Sequence, residues 1–357
     1  MFHYIIHHND DDGYCAAAIA IGQCMPTTVS EDKTFCYYHG AEAPAIPYDN
    51  VTDDDHLIIV DLALDAVILD LIRRFRAAAP NAMITHIDHH KSTFDTLKKL
   101  TPEDTQLMES VYTLYKQGIS AALLTWIWYS MNDEERKDPM SVPFDFMPQM
   151  THVGLWPENA QGHEERLYFI PSIIRWVDDW DVWKHELQDT REFHYGFMLE
   201  ENKSPFNKDL WSPALFDRNI EYLLQQLYIN PGRTVLKFIE QQNKWLQKTA
   251  AEVPIYWKES EAETEWHRGI AIAINADGNS EVFGDLINEY DIAMLWNYDG
   301  SINAYTYSLY TVKDNIDTSL ISQWYGGGGH PKASGFQNDY DPFTLFEKLV
   351  VGPWVEE

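Results

Sequence analysis

The sequence predicts an α/β protein in which a doubly wound, mainly parallel sheet is followed, after a helical linker, by a smaller mixed α/β domain. Two observations support this fold class. Short apolar runs alternate with segments of helical periodicity, which is the order expected of parallel strands joined by crossover helices. The chain has 357 residues, more than a single core usually supports. We therefore place the first domain at residues 1–215, the linker at 216–252 and the second domain at 253–357.

Three apolar runs in the first domain predict strands, at residues 2–7, 56–60 and 82–87. They are largely continuous rather than alternating, as expected of strands that are covered on both faces. Residues 14–21 are rich in alanine and predict a helix packed closely on the sheet. Residues 66–79 show helical spacing that ends before a Pro-Asn pair. This order predicts a parallel sheet.

The rest of the chain supplies the linker and the second domain. Helices are predicted at 118–131, 164–176, 282–289 and 318–324, and strands at 269–274, 292–298 and 302–311. Residues 217–251 are amphipathic, are interrupted at 230–232 by Asn-Pro-Gly, and suit the linker. Residues 133–162 are rich in Pro, Asp and Glu and predict a surface insertion of unassigned role.

The composition is strongly acidic. Lysine and arginine number 26 against 56 aspartates and glutamates, which gives a formal net charge of −30. Duplex binding depends on Lys and Arg neutralising phosphates, so we expect no long duplex DNA as a partner. Because the sequence shows no basic leader and no long apolar span, it predicts a cytoplasmic protein without a membrane partner. It leaves a homodimer open.

Acidic and histidine residues follow each predicted strand of the first domain. They are His8, Asp10 and Asp12 after the first strand, Asp61 after the second, Asp88, His89 and His90 after the third, and an acidic group at 178–181. The carboxyl ends of parallel strands meet at one sheet edge, so these residues are expected to converge. Each cluster alone is also explained by helix capping. Four clusters on successive elements favour a site for two divalent ions, which take oxygen and imidazole ligands.

The spacing suggests how such ions would be held. On an extended segment Asp10 and Asp12 point the same way, which suits one ligand for each ion. Asp61 stands alone among apolar neighbours and fits a bridging role. Four carboxylates balance two divalent ions if the ligands are His8, Asp10, Asp12, Asp61, His89 and Asp179. Ions about 3.5–4 Å apart activate water and clamp the oxygens of an in-line displacement, so the predicted chemistry is phosphoester hydrolysis.

A glycine run near the C-terminus predicts an anion-binding loop. Residues 326–329 are four consecutive glycines, followed by His330 and, two residues on, Lys332. Backbone N–H groups without Cβ atoms around them fold readily about an anion. The residues that we expect to bind a substrate phosphate are Gly327, Gly328, Gly329, His330 and Lys332.

These motifs resemble those of the DHH phosphoesterase superfamily and its DHH-associated C-terminal domain. The resemblance lies in His-Asn-Asp-Asp-Asp-Gly at 8–13, Asp61, Asp88-His89-His90, residues 176–183 and Gly-Gly-Gly-Gly-His at 326–330. It implies an N-terminal catalytic domain and a C-terminal substrate-binding domain. It also implies two Mn²⁺ ions, for which Mg²⁺ or Co²⁺ can substitute.

The resemblance further implies a role for each residue. His8 and Asp10 would hold one ion, Asp12 and His89 the other, and Asp61 would bridge them. As catalytic residues, His90 would contact the substrate phosphate and Asp88 would orient the neighbouring imidazoles. For the fourth acid Asp179 is favoured, with Asp178 and then Asp181 as alternatives. Relatives often carry an arginine where this chain has Tyr310, and its loss removes a bidentate phosphate clamp.

The predicted function is a Mn²⁺-dependent phosphodiesterase for short nucleotide substrates, either short oligonucleotides or cyclic dinucleotides. Trp180 and Tyr325 are candidates for stacking on a base. Two alternatives stay open. One is a pyrophosphatase or polyphosphatase, which the lack of a Lys/Arg cluster disfavours, and the other is a non-hydrolytic nucleotide-binding sensor.

Overall fold

The computed structural model describes residues 1–38, 41–132, 134–137, 139, 170–217, 220–257 and 267–340. The chain divides into two compact units, Met1–Val235 and Leu236–Glu357, which we describe separately. Most of the predicted insertion at 133–162 and the start of the predicted helix at 164–176 lie outside the described residues. Within the described ranges, no helix combines the length and the apolar character needed to cross a membrane.

The first unit is built on a five-stranded sheet of order β2-β1-β3-β4-β5. Its strands are β1 (His3–His7), β2 (Thr34–Cys36), β3 (His56–Val60), β4 (Met83–Asp88) and β5 (Tyr112–Tyr115). Every neighbouring pair is parallel. The predicted α/β fold class with a parallel sheet is therefore confirmed.

Helices cover both faces of this sheet. They are α1 (Asp11–Gln23), α2 (Ala66–Ala78), α3 (Lys91–Leu97), α4 (Pro102–Met108), α5 (Ala121–Ser130), α6 (Ser172–Asp181), α7 (Thr190–Phe197), α8 (Lys208–Phe216) and α9 (Glu221–Leu224). Ile5 and Ile58 point into a core shared with α1, α5 and α6. Their strand neighbours Ile6 and Leu57 point into a second core shared with α2 and α4. Alternate residues of each strand are thus buried on opposite faces, which explains the continuous apolar runs.

The Asn-Pro-Gly sequence at 230–232 does not interrupt the linker helix as expected. A π-helical turn (Gln225–Ile229) connects α9 directly to α10 (Asn230–Leu246). Pro231 falls in the first turn of α10, where a proline is tolerated. A Cβ on Gly232 would lie 1.7 Å from the carbonyl oxygen of Glu192 on α7. The glycine therefore serves close helix packing rather than a chain break.

The second unit contains a mixed six-stranded sheet of order β10-β11-β9-β8-β7-β6. Its strands are β6 (Ala251–Trp257), β7 (His267–Asn275), β8 (Ile292–Asp299), β9 (Ala304–Tyr310), β10 (Gly328–His330) and β11 (Ala333–Asn338). Only β7 and β8 pair in parallel among these described strands. Helix α12 (Thr318–Trp324) has the predicted bounds.

The predicted helix at 282–289 is divided in two. A 3₁₀ turn (Ser280–Phe283) is followed by the short helix α11 (Leu286–Glu289). Gly284 between them has a φ of 52°, in the left-handed region, which ends the first turn.

Candidate metal centre

The ends of three neighbouring strands bring the predicted ligands of the first unit together. His7 of β1 lies beside Val60 of β3, and Val60 lies beside Ile87 of β4. The residues that follow these strands therefore leave the sheet at one level. This register places His8, Asp61 and the segment 88–90 side by side.

One group of candidate ligands consists of His8, Asp10 and Asp61, whose ligand atoms all lie within 4.8 Å of one another. The Nδ1 atom of His8 is 2.5 Å from an oxygen of Asp10 and 3.8 Å from Oδ2 of Asp61. The other oxygen of Asp10 accepts a hydrogen bond from the Gly13 backbone at 2.9 Å, which makes Asp10 the N-cap of α1. Burial alone would raise the pKa of Asp10, but the hydrogen bond and charge of His8 outweigh it and lower that pKa to about 2.

Gly13 allows this arrangement. A Cβ at that position would lie 2.4 Å from the His8 carbonyl oxygen and 2.8 Å from the His8 nitrogen. The first turn of α1 can therefore approach the backbone of the His8 segment only without a side chain. The glycine of the His-Asn-Asp-Asp-Asp-Gly motif thus positions the ligands that precede it.

A second group of candidate ligands consists of Asp12, His89 and Asp181. The Nε2 atom of His89 lies 3.8 Å from an oxygen of Asp12, 3.5 Å from Asp181 and 3.2 Å from Oδ1 of Asp61. The two oxygens of Asp61 therefore face different groups, one towards His8 and the other towards His89. This is the arrangement expected of a bridging carboxylate.

Asp61 itself is held in an unfavourable state. It is 1% exposed, and its φ of 59° lies in the left-handed region, which costs of order 1–3 kcal/mol for a non-glycine residue. Its Oδ2 atom is buried and has no hydrogen-bond partner. Such strain is concentrated at functional sites when the surrounding structure enforces it.

Asp12 occupies a different local structure from the one expected. Because α1 begins at Asp11, Asp12 lies in the first helical turn, and the extended alternation of Asp10 with Asp12 is wrong. Its two oxygens accept hydrogen bonds from the backbone of Ala121 and Ala122 at 2.7 and 2.8 Å. These N–H groups belong to the N-terminus of α5, where a carboxylate is favoured. Asp12 is therefore fixed in place by a second helix.

The two groups of candidate ligands together form one cluster, and its carboxylates repel one another. Burial, followed by the charge of Asp10, raises the pKa of Asp12 to about 7. Burial and the charges of neighbouring aspartates, Asp12 first, raise the pKa of both Asp61 and Asp181 well above the usual range. A buried group of acids with raised pKa values is stabilised by a cation.

The residues present fit divalent metal ions. Asp61 and Asp181 each have a buried Oδ2 atom without a hydrogen-bond partner. The donor set contains imidazole nitrogens and carboxylate oxygens, which suit Mn²⁺ and similar ions. Bound cations would satisfy both oxygens and compensate the charge that raises the pKa values.

Asp88 supports His90 rather than joining these groups. Asp88 is fully buried and accepts hydrogen bonds from Nδ1 of His90 at 2.7 Å and from the Thr93 hydroxyl at 2.5 Å. Thr93 Oγ1 also accepts from the Leu64 backbone at 2.8 Å. Burial opposes ionisation of both partners, but the His90–Asp88 hydrogen bond outweighs it, so the pKa of Asp88 falls to about 2 and that of His90 rises. His90 also lies within ligand distance of Asp61 and His89.

Asp179, the acid favoured from the sequence, is used to build a turn. Its Oδ1 atom accepts a hydrogen bond from the backbone of Glu186 at 3.0 Å. Its Oδ2 atom accepts from the backbone of Leu187 at 3.1 Å and from the Thr190 hydroxyl at 2.6 Å. Asp179 belongs to none of the candidate ligand groups in the described residues.

Asp181 lies in a candidate ligand group instead. Helix α6 extends to Asp181, further than the predicted end at residue 176, so all three acids lie in its last turn. Asp178 accepts from the Ser120 backbone at 2.7 Å and from Lys184 at 2.8 Å. Only Asp181 among the three lies in a ligand group, with an oxygen 3.5 Å from His89.

A cavity of about 420 Å³ adjoins the cluster. Asp10, Asp12 and Asp181 form part of its wall, together with Lys203 and several aromatic side chains. Lys203 is missing from the sequence-based prediction. No local pattern marks it, since its ion pair with Asp11, at 2.6 Å, joins segments far apart in the chain.

The glycine run of the second unit enters a β-hairpin, and the expected loop is wrong for Gly328 and Gly329, which lie in a strand with His330. Gly328–His330 is β10, which pairs antiparallel with β11. The N–H of Gly327 donates to Ser322 at 2.9 Å, and a Cβ there would lie 2.1 Å from the Gly335 oxygen. Gly329 has a φ of 136°. Close packing and backbone conformation therefore explain Gly327 and Gly329, whereas a Cβ on Gly328 would meet no atom within 4 Å.

The neighbouring predicted residues are also engaged. Lys332 Nζ donates to the Lys313 carbonyl and lies 3.3 Å from Asp314. Tyr310 packs near Phe283, with a distance of 6.4 Å between ring centroids. His330 is exposed at the end of β10.

Both predicted stacking residues are covered by other rings. His194 stacks on Trp180 with centroids 3.7 Å apart and an interplanar angle of 13°. Tyr325 stacks on Phe336 with centroids 4.6 Å apart and an angle of 19°.

Comparison with known proteins gives distant similarities. No family model matches the chain. An uncharacterised protein of Acanthamoeba polyphaga mimivirus is 25% identical over 174 residues, which cover 46% of this chain and 37% of that protein. The match thus spans little more than a third of the length of this curated relative.

Three solved structures are similar at low identity. RecJ in complex with Mn²⁺ from Thermus thermophilus is 14% identical over 98% of this chain and 51% of that one, with a TM-score of 0.48. An exopolyphosphatase-related protein from Bacteroides fragilis is 13% identical over 98% and 90%, with a TM-score of 0.43. A pGpG-specific phosphodiesterase from Vibrio cholerae is 14% identical over 98% and 97%, with a TM-score of 0.40. With identities and TM-scores this low, the function has to be inferred from the geometry of the site.

Proposed function

We propose that this protein is a Mn²⁺-dependent phosphodiesterase that hydrolyses short nucleotide substrates, such as short oligonucleotides or cyclic dinucleotides. The observation that carries the proposal is the position of Asp61. It is buried, and its two oxygens face His8 and His89 at 3.8 and 3.2 Å. A carboxylate shared between two groups of hard ligands is the central element of a two-metal hydrolase.

In this proposal the ligands form two sets joined by Asp61. His8 and Asp10 hold one cation, and Asp12, His89 and Asp181 hold the other. Asp181 replaces the favoured Asp179, because the oxygens of Asp179 are already bonded to the turn that follows α6. When bound, the cations activate the attacking water and neutralise charge on the phosphate.

The remaining residues position the substrate and protect the ligands. The Nδ1–H group of His90 donates a hydrogen bond to Asp88, which leaves Nε2 to bind a phosphate oxygen. The raised pKa of His90 favours the charged imidazolium, which suits a phosphate. Asp88 and Thr93 fix the orientation of that ring. His330, exposed at the end of β10, remains the candidate of the second unit for handling substrate.

The test is product analysis with Mn²⁺ and an EDTA control. The substrates are the dinucleotide pApA, a cyclic dinucleotide, a single-stranded tetramer, pyrophosphate and polyphosphate. We expect Mn²⁺-dependent formation of nucleotide products from the nucleotide substrates. Release of orthophosphate from pyrophosphate or polyphosphate alone would contradict it.

Two variants test the ligand assignment with a readout other than turnover. Asp61→Ala and His89→Ala should abolish hydrolysis and reduce the number of Mn²⁺ ions bound in calorimetric titrations. Asp70→Ala is the matched control, because that aspartate has a 51% exposed side chain on α2. Wild-type turnover in Asp61→Ala would refute the two-metal site.

A further inference from the structure

The cavity beside the candidate metal ligands, which we call the metal cluster, has two chemically different walls. Asp10, Asp12 and Asp181 line it on the side of the candidate ligands. Trp183 and Met198 also line it, with 47% and 57% of their surfaces exposed. Its volume of about 420 Å³ is within the range of small-molecule sites, about 300–1,000 Å³. A ligand there would touch both the cluster and an apolar surface.

Trp183 is presented to this cavity at an energetic cost. Its φ of 56° lies in the left-handed region, which is strained for a bulky residue. Its N–H donates to the Trp180 carbonyl at 3.0 Å, and the next N–H, of Lys184, donates to the Asp179 carbonyl at 2.9 Å. The side-chain hydrogen bonds of Asp179 fix the rest of the turn. The structure thus enforces the strain and still leaves about half of the indole exposed.

The neighbouring tryptophan supports Trp183. His194 and His185 both stack on the Trp180 ring, with centroids 3.7 and 5.0 Å away. The two indoles contact each other, with centroids 5.1 Å apart and an angle of 60°. His185 also contacts Trp183, with centroids 4.4 Å apart and an angle of 55°. Trp183 therefore packs against Trp180 and His185 and is still 47% exposed, which makes it more accessible than Trp180.

The charge of the cavity disfavours a long chain of phosphates. Its lysine, Lys203, is paired with Asp11 at 2.6 Å. The other acids of the wall are the proposed metal ligands. Each additional phosphoryl group would bring negative charge to a wall whose lysine is already neutralised. A flat, uncharged group that stacks on indole fits this wall better.

We infer that this cavity is a nucleobase subsite, in which Trp183 stacks on the base of the nucleotide whose phosphate lies at the metal cluster. The inference rests on the proposed function and extends it, because it assigns the selection of a base-bearing substrate to the first unit. Stacking on an aromatic side chain contributes about 1–3 kcal/mol for each base. This corresponds to roughly 5- to 150-fold in affinity.

The decisive variant is Trp183→Gly, because glycine accepts the left-handed backbone and removes only the ring. Trp183→Phe keeps an aromatic face and should retain most of the affinity. Trp245→Ala is the matched control, since that tryptophan is 63% exposed on α10. Urea unfolding of each variant checks that the fold is retained.

The first readout is binding without turnover. Fluorescence of 2-aminopurine riboside 5′-monophosphate, titrated with protein and Mg²⁺, should be quenched by stacking. We expect Trp183→Gly to weaken this binding roughly 5- to 150-fold and Trp245→Ala to leave it unchanged. Equal binding by wild type and Trp183→Gly, or no quenching in the wild type, would overturn the subsite.

The second readout separates the subsite from the proposed function. In Trp183→Gly, kcat/KM for a dinucleotide should fall by the same factor, whereas turnover of a dinucleotide with abasic sugars should be unchanged. An equal loss on both substrates would also overturn the subsite. If no substrate is hydrolysed with Mn²⁺ but quenching still depends on Trp183, the proposed function fails and the nucleobase subsite stands.

Discussion

Gly13→Ala is expected to damage the metal centre without touching any ligand. Real Cβ atoms almost never approach another heavy atom within 3.0 Å, and this one would lie 2.4 Å from the His8 carbonyl oxygen. The backbone of His8 must therefore move by at least about 0.6 Å, the difference between these distances. That exceeds the tolerance of about 0.5 Å for a productive constellation. Since a misplacement of about 1 Å costs about 100-fold, we expect kcat to fall roughly 10- to 100-fold.

The stability change is smaller because two effects oppose each other. Overpacking costs about 1–3 kcal/mol. Replacing a helical glycine with alanine returns about 1 kcal/mol. The net loss should therefore be about 0–2 kcal/mol, measured by urea unfolding.

A second glycine of the same helix provides the control. A Cβ on Gly22 would meet only the ring of Phe216, at 2.9 Å, and that side chain is 46% exposed and can move. Gly22→Ala should therefore leave Mn²⁺-dependent turnover unchanged and not weaken the fold. Wild-type turnover in Gly13→Ala would refute the argument that this glycine positions His8.

Three further predictions concern single residues. Asp181→Ala should abolish hydrolysis with little loss of stability. Asp179→Ala should instead destabilise the protein by at least about 2 kcal/mol, because it removes the acceptor of three hydrogen bonds. Unfolding curves and turnover of both variants test whether Asp181 is the ligand and Asp179 the structural residue. The raised pKa of His90 means that its pair with Asp88 stabilises the fold below a pH of about 6.5 and that this stabilisation is lost as pH rises through the folded pKa. The stability difference between wild type and His90→Gln should therefore shrink between pH 6 and pH 9, and a constant difference would contradict the assignment. His330→Ala should lower kcat/KM through substrate handling, and an unchanged kcat/KM would leave the glycine hairpin a purely structural role.

The fold of the first unit was largely predictable because its sheet is parallel and covered on both faces. The continuous apolar runs near 3–7, 56–60 and 83–88 identify the central strands and show where each one ends. The chemistry-bearing residues follow at those ends. The strands β2 and β5 could not be identified in this way. They have three and four residues, too few to show a period, and they depend on pairing with their neighbours.

The sequence favoured Asp179 as a ligand, whereas the structure places Asp181 in a candidate ligand group, and the reason is geometric. Successive residues on a helix are rotated by about 100°, so these two side chains are about 160° apart and point to nearly opposite sides of the helix. Periodicity identifies α6 as a helix, but it does not say which of its faces meets His89. That face is determined by hydrogen bonds that Asp179 accepts from residues as far along the chain as Thr190. The information lies in tertiary contacts rather than in the local sequence.

Glycines are usually expected where the backbone conformation is unusual, but the glycine hairpin at 326–330 and the turn that carries Trp183 do not follow this expectation. The sequence places a ligand cradle at 326–329, where glycines are abundant, yet close packing against β11 accounts for Gly327 and Gly329. In the described part of the first unit, left-handed backbone conformations fall instead on four residues other than glycine, Asp61, Trp183, His185 and Asp189, and Trp183 is the bulkiest of them. Local propensity rules locate turns where the backbone is unstrained, so they identify neither the left-handed backbone of Asp61 nor the exposed position of Trp183.

Three separate costs meet at Asp61, and two of them have the same remedy. Its backbone is left-handed, its Oδ2 atom is buried without a hydrogen bond, and burial with the charge of Asp12 raises its pKa. A carboxylate at this position does not improve the packing of the apolar neighbours. A neutral residue would avoid both the unbonded buried oxygen and the repulsion between charges. A divalent cation held by these residues would remove both, because it would supply a partner for the orphaned oxygen and compensate the charge. The left-handed backbone conformation, enforced by the surrounding structure, places the carboxylate between His8 and His89, where it can serve both ligand sets at once.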